Sequence, residues 1–223
     1  MKNAESLNTK MDQFFNKWLA YVGTNNIVVV DLFCGGGGFT QGAVEAGAVV
    51  ALSVDNWGPA GEVHHANHPH VPFLQIDLGN LERDIAIIEA YIRPYLARGY
   101  HFHLHGSPPC QALSNASRRD ASEGMPMVTH FLDLVKALNP DSWSMENVVP
   151  MRKRLPEDIP SRVLNAADYG VPQTRRRCIA GEGWDTKITH TKEHENGFKK
   201  WVSVLDALPH LNEELKGPKH YRS

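Results

Sequence analysis

The stretch Ile27-Val28-Val29-Val30-Asp31-Leu32-Phe33-Cys34-Gly35-Gly36-Gly37-Gly38-Phe39 decides the fold. Consecutive aliphatic side chains without alternation over Ile27 to Val30 read as a strand buried on both faces. The glycine run turns the chain, and Phe39 to Ala46 reads as a helix. A strand, a glycine-rich turn and a helix open a βαβ unit whose turn brings backbone N–H groups close to a nucleotide-type ligand. No Lys-Ser or Lys-Thr follows the glycines, so the turn is not an ATP P-loop.

Working outward, the same alternation repeats. Val49 to Val54 reads as a strand that ends at Asp55, and Phe73 to Ile76 as a shorter one that ends at Asp77. Leu81 to Tyr91 carries Leu81, Ile85, Ile88 and Ile92 at helical spacing. Phe102 to His105 is a further strand, Met127 to Leu138 a helix, and Asp141 to Met145 the next strand. Strands alternating with helices predict an α/β fold, a mostly parallel sheet with helices on both faces. Ligands of such sheets bind beyond the carboxyl ends of the strands, where Asp31, Asp55, Asp77, Cys110 and Glu146 all fall. Between Asn147 and Arg162 stand Pro150, Pro156 and Pro160, which leave no room for an ordinary crossover helix. Val163 to Ala166 and Cys178 to Ala180 read as the last strands, and Trp201 to Leu208 as one short helix. Upstream, Met11 to Val22 reads as a helix through Phe14, Phe15, Trp18, Leu19 and Val22. The expected organisation is therefore an N-terminal helix (1–24), a catalytic domain (25–184) and a C-terminal extension (185–223).

The 223 residues suffice for one well-filled core, and 42% hydrophobic with 22% charged residues predicts a globular chain. No apolar run is long enough to span a bilayer, and no secretion signal is read, so a cytoplasmic location and no membrane partner are expected. Cys34, Cys110 and Cys178 stand far apart without a CxxC pair, which argues against a disulfide framework or a zinc site. His64, His65, His68 and His70 lack partners at ligand spacing, so no metal is expected. His101, His103 and His105 share one face of a strand and read as polar positions packed under a helix. A net charge of −2 is not that of a protein holding nucleic acid by overall charge. Any such surface must be local, and Arg118-Arg119, Arg152-Lys153-Arg154 and Arg175-Arg176-Arg177 are the candidates.

The chemistry sits in Gly106-Ser107-Pro108-Pro109-Cys110-Gln111 and in Glu146-Asn147-Val148. Carbon 5 of cytosine is too weak a nucleophile to take a methyl group unaided. A thiolate added at carbon 6 makes it an enamine, and cysteine alone offers an accessible, soft thiolate near neutral pH. The carboxyl group of Glu146 can hydrogen-bond ring nitrogen 3, as donor, and the exocyclic amine, as acceptor, withdrawing charge as the thiol adds. Asp55 can accept from both hydroxyls of a ribose, or cap the following turn; Asp77 can accept from an adenine amine, or serve a turn.

At these residues the chain resembles the cytosine-5 DNA methyltransferase family. Asp31 to Phe39 resembles the family's cofactor motif, Gly106 to Gln111 with Ser114 its nucleophile motif, and Glu146 to Val148 its Glu-Asn-Val motif. Leu164 to Arg177 (LNAADYGVPQTRRR) resembles the motif ending in Gln-x-Arg-x-Arg. The resemblance covers about residues 27 to 180 and implies a Rossmann-like, S-adenosylmethionine-dependent methyltransferase fold. It implies Cys110 as nucleophile, Glu146 as acid partner, and Arg175 and Arg177 against a base flipped out of double-stranded DNA. Phe33, Gly35, Gly37, Gly38, Asp55, Asn56, Asp77, Leu78 and Pro109 would hold the cofactor. Gln111, Ser114, Arg118, Arg119 and Asn147 would hold the nucleic acid.

The chain departs from the family's pattern in three places. Asn56 follows Asp55, with Trp57 one place later than the usual Trp. The helix after Glu-Asn-Val is shrunken. After Trp201-Val202-Ser203-Val204 no target-recognition region or closing Gly-Asn-x-Val motif is read. A short phage-type enzyme, a defective remnant, or a split form completed by a second polypeptide with the target-recognition region would each give this pattern. RNA cytosine-5 methylation and a non-catalytic, partner-dependent role are the alternative functions.

Overall fold

The computed structural model of the chain describes residues 25–109, 125–193 and 197–210. The helix expected over Met11 to Val22 lies outside them, as do Cys110, Gln111, Ser114, Arg118 and Arg119. The chain divides into two units, one running to Asn147 and including Gly181–Trp184, the other formed by Val148–Ala180 and the residues after Trp184.

In the first unit the elements follow as β1 (Ile27–Leu32), α1 (Gly38–Glu45), β2 (Val49–Asp55), α2 (Gly58–Asn67), β3 (Phe73–Gln75), α3 (Leu81–Leu96), β4 (His101–Gly106), α4 (Met125–Leu138) and β5 (Ser142–Asn147). The strands pair in parallel in the order β3-β2-β1-β4-β5. Central β1 pairs Val28 with Val49 on one side and with Phe102 on the other. Val28, Val30, Leu32 and Leu104 are fully buried, as an unalternating aliphatic strand requires.

Side chains of β1 alternate between the two helical layers. Val29 packs with Ala43 of α1 and with Val50, whereas Gly106 of β4 meets Phe131 of α4. Helices therefore cover both faces. The periodic helices α1, α3 and α4 form close to where their spacing places them. Helix α3 starts at Asn80, whose side chain accepts from the Arg83 N–H, and Glu82 and Asp84 favour its first turn. It runs to Leu96, through Pro94 and beyond the expected Tyr91, because buried Ile92 and Tyr95 fix its last turn from outside. Helix α2 gives no aliphatic signal. Its start has Pro in the first turn, and its buried face is made by Ala60 and His64.

In the second unit, Val149–Lys153 forms only a short 3-10 turn where a crossover helix has no room. Strands β6 (Ser161–Asn165) and β7 (Arg176–Glu182) pair antiparallel, with Leu164 opposite Arg177. A 3-10 turn over Ala166–Tyr169, the short parallel pair β8 (His190–Thr191) and β9 (Lys199–Lys200), and α5 (Val204–Ala207) complete it. Helix α5 is only the core of the helix expected over Trp201 to Leu208, begun by a Ser203–Asp206 capping box.

Of the three histidines of β4, His103 and His105 lie under α1 whereas His101 is exposed at the start of the strand, and all three do more than fill space. His101 Nε2 and His103 Nδ1 each lie 2.8 Å from Ser142 Oγ. His103 Nε2 is 2.9 Å and His105 Nδ1 2.8 Å from Ser144 Oγ. His105 Nε2 lies 3.3 Å from Ser107 Oγ, so the column ends at the loop after β4. Phe39 of α1 stacks on His105 at 3.5 Å between ring centroids. Imidazoles and hydroxyls thus satisfy one another along a column that is exposed at His101 and buried at His105.

Burial lowers the pKa of His103 to about 4 and holds that of His105 well below the usual imidazole value. The unfolded chain takes up a proton near 6.5 that folded His103 refuses until about 4, so stability falls as pH falls through that window. Asp31 acts with the opposite sign: burial raises its carboxyl to about 7, and its contribution is lost as pH rises from 3.8 to that value. A His103→Gln variant should therefore show a flatter pH dependence of urea-unfolding free energy between pH 6.5 and 4. The difference from wild type across the window should be on the order of 3 kcal/mol. Identical slopes would mean that the ring titrates in the folded chain as in the unfolded one.

Candidate active site

The carboxyl ends of β1, β2 and β3 open onto a cavity of about 300 Å³. Phe33, Asp55, Asn56, Asp77, Leu78 and Pro109 line it, together with Ile76, Ser107 and Met127. Of the residues expected around a cofactor, Gly35, Gly37 and Gly38 are not in its wall. They shape the turn behind it. Asp55, the last residue of β2, accepts from Gly35 N at 2.8 Å and from Trp57 N at 2.9 Å. Phe33 takes a left-handed backbone (φ 55), which faces it off the strand at the cavity mouth. Gly37 has φ +90, and a Cβ there would meet His64 of α2 and His68, the residue that follows that helix, at under 3 Å. Glycine is the residue that fits this position.

Both readings of Asp55 are compatible, since it caps the turn and still faces the cavity. An ionised carboxylate has about four lone-pair sites, and backbone N–H groups take two of them. Asp77 accepts from Asn56 Nδ2 at 3.1 Å through one oxygen. Ile76, Ser107 and Met127 escaped the sequence reading. Ser107 lies within the Gly106 to Gln111 motif and Ile76 precedes Asp77, so position was a usable signal for both. Met127 comes from α4, distant in sequence, and only packing brings it in.

Asp31, placed by its sequence position on the same rim, points instead under α1. It is 1% exposed, accepts from Thr40 Oγ1 at 2.7 Å, and Thr40 Oγ1 lies 3.0 Å from Ser53 Oγ. It takes no part in the cavity wall, and its raised pKa follows from that burial.

Strand pairing sets the geometry of the thiol and carboxylate motifs. Gly106 of β4 lies opposite Met145 of β5, one residue before half-buried Glu146. Asn147 is buried, and its Nδ2 donates to the Pro108 carbonyl at 3.1 Å. Ser107 N donates to the Leu32 carbonyl at 3.0 Å. The loop leading to Cys110 is thus held between the ends of β1 and β5, with the Glu146 strand beside its first residues. Cys110 itself lies outside the described residues.

The other thiols are poor nucleophiles. Cys34 and Cys178 are buried, and burial beside Asp31 and Asp55 pushes the Cys34 thiol well above its usual range. Arg175 and Arg177 belong to the second unit. Arg175 is exposed just before β7, and Arg177 lies half-buried within it, its Nη1 donating to the Arg176 carbonyl at 2.9 Å. Among the described residues, no group of three or more His, Cys, Asp or Glu side chains could hold a metal ion.

A C-5 cytosine-specific DNA methylase family model matches residues 27–157, which contain the whole of this rim. The chain belongs to the C-5 cytosine-specific DNA methylase family. Type II methyltransferase M.HgiDI of Herpetosiphon aurantiacus is 33% identical over 165 residues, covering 67% of this chain and 50% of that protein. Type II methyltransferase M.HindV of Haemophilus influenzae is 35% identical over 161 residues, covering 66% and 50%. The chain spans about half the length of these curated relatives. Among solved structures, a DNA modification methyltransferase encoded within an E. coli prophage matches with a TM-score of 0.58 and 26% identity, over 82% of this chain and 54% of that one. A DNMT2 mutant from Spodoptera frugiperda shares the fold, with a TM-score of 0.50 and 22% identity over 70% of this chain and 49% of its own. The fold of this family member is the Rossmann-like methyltransferase fold, as its parallel sheet and two helical layers require.

Gly106, the first residue of the family's nucleophile motif here, has no room for a side chain. A Cβ would strike the ring of Phe131, which is fully buried and packs against Trp143. Gly106→Ala should destabilise the fold by about 1–3 kcal/mol through overpacking, measured by urea denaturation. An unchanged midpoint would show that Phe131 can step aside.

Proposed function

We propose that this chain transfers a methyl group from S-adenosylmethionine to carbon 5 of cytosine in double-stranded DNA. The observation that carries this reading is the pairing of Gly106 with Met145, joined by the Asn147–Pro108 bond. It brings the loop that leads to a cysteine beside the strand that bears a glutamate, at the rim of a nucleoside-sized cavity.

The cavity fits the cofactor's nucleoside. Asp55 and Asp77 offer acceptors for ribose hydroxyls and an amine, and Phe33, Ile76 and Leu78 offer apolar walls for a purine. When bound, S-adenosylmethionine supplies the electrophilic methyl group. Cys110 adds as thiolate to carbon 6 of the flipped base, while the carboxyl proton of Glu146 is donated to ring nitrogen 3, neutralising the negative charge that develops there, and returns when the adduct breaks down. After transfer the proton on carbon 5 leaves to solvent, the carbon–sulfur bond breaks, and the thiolate is regenerated. Arg175 and Arg177 hold the base. Gln111, Ser114, Arg118, Arg119 and Asn147 hold the strand or shape its loop. Gly35, Gly37 and Gly38 shape the turn around the cofactor.

The proposed role includes a cytoplasmic site of action, with a second polypeptide that supplies target choice as the partner arrangement to test. No described helix is long and apolar enough to cross a membrane.

The purified chain, given labelled S-adenosylmethionine and duplex DNA, should label cytosine at carbon 5. Cys110→Ala should abolish labelling, and Glu146→Gln should lower it by at least roughly 100-fold. A duplex carrying 5-fluorocytosine should trap the wild-type protein covalently. Equal labelling by wild type and Cys110→Ala would refute the mechanism. Labelling of RNA in preference to DNA would move the substrate class, and labelling that needs an added partner would establish the split form.

A further inference from the structure

We propose that Asp84, with Arg83 and His130, is a positioning residue for the cofactor, fixing the loop that carries Asp77 and Leu78. The inference rests on the cofactor reading above and adds residues that do not themselves line the cavity.

Asp84 lies in the first turn of α3, and its side chain is 0% exposed. A buried carboxylate is expensive unless every oxygen is matched by donors. Here both are matched, and the donors come from three directions. Oδ2 accepts from Gly79 N at 2.9 Å and from His130 Nε2 at 2.8 Å. Oδ1 accepts from Arg83 Nε at 2.8 Å and Nη2 at 2.6 Å. The same Nη2 reaches the Asp77 carbonyl at 2.5 Å. The chain from Asp77 to Gly79 is therefore gripped at both ends, by Arg83 at the Asp77 carbonyl and by Asp84 at the Gly79 N–H.

The grip matters because of where the loop stands. Asp77 and Leu78 line the cavity, and Gly79 takes φ +142, a conformation that leaves the turn to external bonds for its shape. His130 ties the same carboxylate to α4, whose Met127, one turn earlier, also lines the cavity. One buried carboxylate thus sets two walls of the cavity relative to each other. A helix cap alone does not call for this, since Asn80 already caps α3.

In Asp84→Asn one oxygen becomes an NH₂ group, which must face a donor it cannot accept from. The expected result in isothermal titration of the whole chain with S-adenosylmethionine is a rise in Kd of about tenfold or more. His130→Ala should weaken binding in the same direction, and His130→Gln, which keeps an N–H donor, should recover part of the loss. His130→Ala and Arg83→Met carry the test if Asp84→Asn does not fold. Variants that fold and bind the cofactor as wild type does, or that lose melting temperature without losing affinity, would overturn the positioning role. A wild-type chain that binds no S-adenosylmethionine would overturn the cofactor reading along with it.

Discussion

The carboxylate of Asp55 is the constraint on which the rim depends. One oxygen holds the N–H of Gly35, in the turn after β1; the other holds the N–H of Trp57, at the start of α2. Two strand ends that are neighbours in the sheet are thereby locked in one turn geometry. The bond to Gly35 is partly buried, so its loss would leave that N–H short of a partner, whereas the bond to Trp57 is exposed to water. The same group faces the cavity with acceptor capacity to spare. On this side of the cavity, one side chain thus contributes to both shape and chemistry.

Behind the rim, polar side chains are handled in two contrasting ways. On the face covered by α1, Asp31, Thr40 and Ser53 bond to one another, and the imidazoles of β4 bond to the serines of β5. Burial disfavours charge on these groups, raising the Asp31 carboxyl and lowering His103 and His105. Near α3 the solution is different: Asp84 meets a guanidinium, a backbone N–H and an imidazole. His64 belongs to neither scheme. It is 0% exposed, and neither ring nitrogen has a hydrogen-bond partner among the described residues. Burial and the neighbouring histidines lower its pKa to about 4, which makes it an imidazole that packs as an aromatic ring, 5.0 Å from Phe73.

Much of this was legible in the chain itself, for identifiable reasons. The run Ile27 to Val30 has no alternation, so only a strand covered on both faces accounts for it. Asp55 and Asp77 stand directly after apolar runs, which places them at strand ends. The prolines between Asn147 and Arg162 forbid a helix, and a short 3-10 turn is what forms there. Helix α2 was hidden because its buried face is imidazole and alanine and its start carries glycine and proline. Asp31 was placed on the rim by position, although alternation along β1 turns it under α1.

The sequence by itself determined the parallel α/β framework, the rim positions and the family motifs, because hydropathy period and turn residues act over a few neighbours. Only the tertiary structure decided which polar groups satisfy one another. His103 finds Ser142 and Ser144 about 40 residues away, and Asp84 finds His130 at a separation of 46. Nothing local specifies such a partner. The pairing follows from strand register and helix docking, and the cost of burying an unmatched polar atom then enforces it.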